Sequence, residues 1–126
     1  MRARRFGGTG LGGTIVMACA LLLGSGVALA HARLLAADPA PNAVGPSPAH
    51  LRLRFSEPIA RSLSRLLLRA ADGTTVALVT VQVAEDNVLE SRPESPLRPG
   101  AYAISWVVIA SDDGHRTSGT VRFTVR

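Results

Sequence analysis

The chain has 126 residues, with fourteen arginines and no lysine against nine acids, for a formal net charge of +5. That length allows one domain, and arginines standing singly between apolar residues exclude the clustered basic footprint of a nucleic-acid binder. Three arginines fall within the first five residues, so residues 31–126 carry eleven arginines against nine acids and sit near +2.

The first thirty residues read as an export signal. Arg2, Arg4 and Arg5 form a positive start, Leu11 to Leu23 an apolar stretch loosened by Gly12, Gly13 and Thr14, and Ala28-Leu29-Ala30 a small-x-small cleavage site. The apolar run falls short of the roughly 20 residues that a membrane-spanning helix needs. Cleavage after Ala30 leaves residues 31–126 as the mature domain, beginning at His31, in the periplasm or outside the cell. Two other processing routes are weaker: a lipoprotein-like cut at Cys19, and a twin-arginine reading of Arg4-Arg5. Cys19, Met1 and Met17 all precede the cut, so the mature part has no sulfur, and its stability rests on an apolar core.

Strand patterns follow in order. Arg33 to Ala37 is a first short strand. His50 to Phe55 alternates, with Leu51, Leu53 and Phe55 on one face and Arg52 and Arg54 on the other. Ser64 to Arg69 is a third, followed by Asp72-Gly73, a dipeptide suited to a tight hairpin turn. Within it, Leu63 to Leu68 also allows a short helix. Val76 to Val83 is rich in β-branched residues, and Asn87 to Ser91 follows the polar break at Glu85-Asp86. Arg92 to Gly100, with three prolines, is a loop. Tyr102, Ile104, Trp106 and Val108 mark the strongest core strand, the two aromatics serving as core and not as a cofactor platform. Val121, Phe123 and Val125 close the chain as an inward-facing edge strand. About seven strands at this spacing predict an all-β, immunoglobulin-like Greek-key sandwich or barrel. No second apolar segment follows the signal, so no membrane anchor is expected in the mature form.

Cleavage before His31 would give one residue two nitrogen donors, the free α-amine and ring Nδ1, able to close a six-membered chelate on a metal. The second half of the site lies in Ser111-Asp112-Asp113-Gly114-His115. Asp113 and His115 are two apart, so extended backbone would send both side chains to one face, with Gly114 allowing a bend. Three nitrogens and a carboxylate oxygen suit Cu(II), and the mature part has no soft ligand for Cu(I). His50, without partners in the sequence, is a surface residue.

His31-Ala32, Phe55-Ser56-Glu57, and Asp113-Gly114-His115 followed by Ser118-Gly119 occur in the order and with the approximate spacing of the CopC copper-binding proteins, which the mature chain resembles over nearly its whole length. The resemblance implies that His31, Asp113 and His115 bind one Cu(II) per chain, with Glu57 nearby as a weak ligand or as an acceptor for a ring N–H or bound water. Some members of that family add a methionine-rich Cu(I) site, which a mature part without methionine cannot form. The expected function is exported copper homeostasis or resistance without catalysis, by sequestering Cu(II) or delivering it to a copper-transporting inner-membrane protein. Two alternatives stay open from the residues alone. One is a small copper oxidase acting on polysaccharide, opposed by a carboxylate in a position that oxygen activation needs open. The other is a metal-free immunoglobulin-like interaction module.

Overall fold

The computed structural model describes residues 7–8 and 31–126, so the proposed signal and its cleavage site lie almost wholly outside the described residues. Nine strands form in chain order: β1 (Leu34–Asp38), β2 (Val44–Gly45), β3 (Leu51–Phe55), β4 (Arg65–Ala70), β5 (Thr75–Val76), β6 (Leu78–Val81), β7 (Val88–Pro93), β8 (Gly100–Ile109) and β9 (Arg116–Val125). Among the described residues a single 3₁₀ turn, Arg61–Leu63, precedes β4, and Arg65–Ala70, open to a helical reading from sequence, is extended. Seven strands have four or more residues, and β2 and β5 have two each. No helix among the described residues is long and apolar enough to cross a membrane.

Two sheets result, one of four strands in the order β1-β3-β7-β6 and one of five in the order β2-β9-β8-β4-β5. The architecture is an all-β sandwich. Alternation fills the space between the sheets, because successive side chains of a strand point to opposite faces. Leu51, Leu53 and Phe55 of β3 meet Tyr102, Ile104, Trp106 and Val108 of β8 and Val121, Phe123 and Val125 of β9 in one buried cluster. Phe55 and Trp106 meet edge to face at 5.0 Å, and Tyr102 stacks on Phe123 at 5.6 Å, so Tyr102 and Trp106 are core residues.

Four expectations need correction. Val121 to Val125 does not form an edge: β9 runs ten residues from Arg116, pairs with all of β8, and is covered on its other side by parallel pairing with β2. The stretch from Val76 to Val83 is not one strand, since β5 pairs with β4 in one sheet while β6 pairs with β7 in the other, the chain crossing between layers at Ala77. The loop expected from Arg92 starts later, because Arg92 and Pro93 still pair with Val79 and Leu78. At Asp72-Gly73 only Gly73 has positive φ, +85°. The connection is therefore a four-residue loop, in which Asp72 Oδ1 accepts from both the Thr74 hydroxyl (2.7 Å) and the Thr74 N–H (3.0 Å).

Candidate metal centre

β8 and β9 form a long hairpin whose turn, Ser111 to Gly114, lies at one end of the sandwich. Ala110 N–H donates to His115 O (2.9 Å) and Gly114 N–H to Ala110 O (3.0 Å), closing the turn. Gly114 has φ +70°, a left-handed conformation that costs glycine little. Asp113 and His115 therefore do not project from extended backbone. Asp113 Oδ1 instead accepts the His115 N–H at 2.9 Å, an Asx turn that folds the carboxylate back over the next turn of chain, and Oδ2 stands 3.5 Å from His115 Nδ1.

His115 continues the inward-facing series of β9. Thr117, Gly119, Val121 and Phe123 lie opposite Val108, Trp106, Ile104 and Tyr102 of β8, and His115 occupies the next position in that alternation. Its half-buried ring thus sits at the mouth of the sandwich.

His31 reaches the same mouth from the other sheet. Its ring is 4.4 Å from that of His115, centre to centre, at an interplanar angle of 67°. Two residues that sequence reasoning quoted without assigning them a task hold it there. Ala32 is fully buried in the core, leaving no room for a larger side chain beside His31. Ser56, just past β3, grips the segment on both sides: its N–H donates to Arg33 O (2.8 Å), its hydroxyl oxygen accepts the Arg33 N–H (2.8 Å), and the hydroxyl lies 3.4 Å from His31 O. The signal for both lay in the His-Ala and Phe-Ser-Glu motifs, but periodicity cannot show that one fastens the other.

Glu57, next to Ser56, is half-buried and forms no hydrogen bond or ion pair with His31, Asp113 or His115 among the described residues. His50 is exposed, and no interaction joins it to this cluster. Among the described residues no three His, Cys, Asp or Glu side chains form a ready metal-binding group. Two imidazoles and one carboxylate make a partial set, and the further nitrogen expected of the site, the α-amine of His31, belongs to the main chain. The donors are nitrogen and oxygen, the set that favours Cu(II) over Cu(I).

Comparison with known proteins decides the family. The family model for the CopC domain matches residues 34–126. The chain belongs to the CopC family. Copper resistance protein C of Pseudomonas syringae pv. tomato is 30% identical over 119 residues, covering 89% of this chain and 94% of that protein. Copper resistance protein C of Xanthomonas campestris pv. juglandis is 32% identical over 120 residues, covering 90% and 94%. Among solved structures, PcoC, a methionine-rich copper resistance protein from Escherichia coli, superposes with a TM-score of 0.70 at 26% identity, covering 77% of this chain and all of that one. CopC from Methylosinus trichosporium OB3b gives 0.69 at 27% identity, covering 75% and 93%. The names of the first three describe copper resistance. The match to the CopC domain begins at residue 34, so it leaves His31 to be argued on chemistry.

Proposed function

We propose that this CopC-family chain is exported, loses residues 1–30, and binds one Cu(II) through His31, His115 and Asp113. The observation that carries the reading is the contact of the His31 and His115 rings at 4.4 Å at the open end of the sandwich, with Asp113 fixed beside His115 through its own Oδ1. Cleavage after Ala30 would free the His31 amine to complete the donor set with ring Nδ1. Asp113 Oδ1 is engaged by backbone, which leaves Oδ2 to offset the charge of the ion. Glu57, which makes no direct bond to these three residues, would act through a bound water.

Copper is cargo here, taken up in the periplasm or outside the cell and sequestered or handed to a copper-transporting membrane protein. Both methionines and the only cysteine precede residue 31, so the mature chain offers Cu(I) no sulfur ligand, unlike a protein described as methionine-rich. Competition titration with chromogenic chelators specific for each oxidation state tests the proposal. One tight Cu(II) and no tight Cu(I) are expected. His115→Ala and Asp113→Ala should each weaken Cu(II) binding, while His50→Ala leaves it unchanged. Loss of binding in His50→Ala with retention in His115→Ala would refute the assignment.

A further inference from the structure

The outer face of the five-stranded sheet bears charge of one sign. None of its strands contains Asp or Glu, while Arg65 and Arg69 of β4 and Arg116 and Arg122 of β9 are all exposed. The other sheet is mixed: Asp38 pairs in register with Arg52, and Arg52 is ion-paired to Glu85 at 2.9 Å and Glu90 at 3.3 Å. The four arginines of the larger sheet have no ion pair or side-chain hydrogen bond among the described residues.

Their placement makes a furrow. β8 lies between β4 and β9, and its outward residues are the small Ala101, Ala103 and Ser105 followed, towards the β8–β9 turn, by Val107 and Ile109. Arg69, Ala103 and Arg122 stand in one register row, so two guanidinium groups flank an alanine. Further along, Arg65 pairs with Val107 and Arg116 with Ile109. The two arginine columns are two strand spacings apart, about 10 Å. Around the Arg69–Arg122 row the furrow widens into a depression of about 530 Å³, bordered also by Asn42 and Thr124.

We propose that this furrow docks an extended acidic polypeptide segment of a partner protein, lying along β8 with its carboxylates between the two arginine columns. A planar anionic surface would meet the arginine tips alone, whereas a floor that is alanine and serine around the Arg69–Arg122 row, rising to Val107 and Ile109 beyond it, admits a single extended chain between the cationic side chains. Guanidinium groups suit carboxylates because their planar fork can donate two parallel hydrogen bonds. Arg116 directly follows His115, so the furrow leads to the mouth of the sandwich and a docked segment would bring its protein beside the candidate metal centre. The docking surface itself does not depend on copper binding.

The test uses metal-free protein, so its failure leaves the copper reading untouched, and a hexaglutamate peptide as probe. Backbone amide shifts in two-dimensional NMR should move at Ala101–Ser105 and Thr120–Thr124, and binding should weaken steeply with salt. Arg69→Gln with Arg122→Gln should reduce affinity about fivefold to tenfold, and Arg65→Gln with Arg116→Gln gives an independent second pair. Arg54→Gln with Arg92→Gln, which removes the same charge from the other sheet, should leave affinity within about twofold. Equal losses from both faces would reduce the effect to net charge and overturn the proposal. So would shifts mapping elsewhere, no binding, or binding only to phosphatidylglycerol-containing vesicles and not to the peptide.

Discussion

Gly119→Ala adds one methyl group where β9 packs against the Trp106 indole. A Cβ built at Gly119 falls 2.5 Å from Trp106 Cζ2 and 2.8 Å from Cε2, closer than real side chains come, and 3.1 Å from Nε1. Trp106 has little room to retreat. It is 6% exposed, holds Phe55 edge to face at 5.0 Å, and lies directly opposite Gly119 in the β8–β9 ladder. Overpacking of this kind costs about 1–3 kcal/mol, which for a domain of this size lowers Tm by roughly 5–20 °C. Thermal unfolding followed by circular dichroism, with fluorescence of the sole tryptophan as a second probe, measures it on the metal-free protein. A Tm within about 2 °C of the parent would refute the reasoning, since it would mean that β9 shifts away from the indole at no cost.

Ser56→Ala removes the hydroxyl that joins Arg33 N–H and His31 O. A hydrogen bond of that kind is worth about 0.5–1.5 kcal/mol, so Cu(II) affinity should fall about two- to tenfold as the His31 segment loosens; chelator competition reads it, and unchanged affinity would show that Ala32 and the backbone bond from residue 56 to Arg33 O fix the segment without the hydroxyl. Asp72 supplies a pH test: hydrogen bonds from the Thr74 hydroxyl and then the Thr74 N–H hold its carboxyl below the ordinary aspartate value. Its contribution to stability is therefore present above the unfolded-state pKa of about 3.9 and is lost as pH falls through that value and below. Urea titrations of the parent and Asp72→Asn should differ at neutral pH and converge in acid; a difference that grows in acid would contradict the sign.

Much of the sandwich is legible in the sequence wherever one face of a strand is buried and the other wet. β3 and β8 show this, because Leu51, Leu53 and Phe55 alternate with arginines, and Tyr102, Ile104, Trp106 and Val108 with the less buried Ala103, Ser105 and Val107. The first half of β9 escapes detection for a physical reason: its inward positions are Thr117 and Gly119, and Gly119 is empty because the Trp106 indole occupies that space. β2 is two residues paired in parallel with β9, too short for any period to register. The crossing at Ala77 is invisible because the β-branched run continues through it while the partners change sheet.

The candidate site was legible as residue types and less so as geometry. A histidine two residues after an aspartate suggests a shared face, yet here the pair is brought together by an Asx turn and a left-handed glycine. The His-Ala motif joins His31 to His115 by resemblance, but no periodicity near His31 shows how it meets a ring more than eighty positions away. That meeting depends on Ser56 tying Arg33 to the end of β3 and on Ala32 entering the core. Glu57, expected close by from the motif around it, forms no hydrogen bond or ion pair with the three among the described residues.

The most direct measurement compares Cu(II) binding by protein beginning at His31 with binding by the same protein carrying one extra glycine before it. The added residue keeps every side chain, including the His31–His115 contact, but turns the His31 amine into an amide. Chelator competition should show affinity falling by more than about 100-fold, beyond the loss typical of an orienting partner alone, and the paramagnetic resonance spectrum should lose a nitrogen from its hyperfine pattern. Native affinity with an unaltered spectrum in the extended protein would show that the amine is not a ligand and would contradict a site created by cleavage after Ala30.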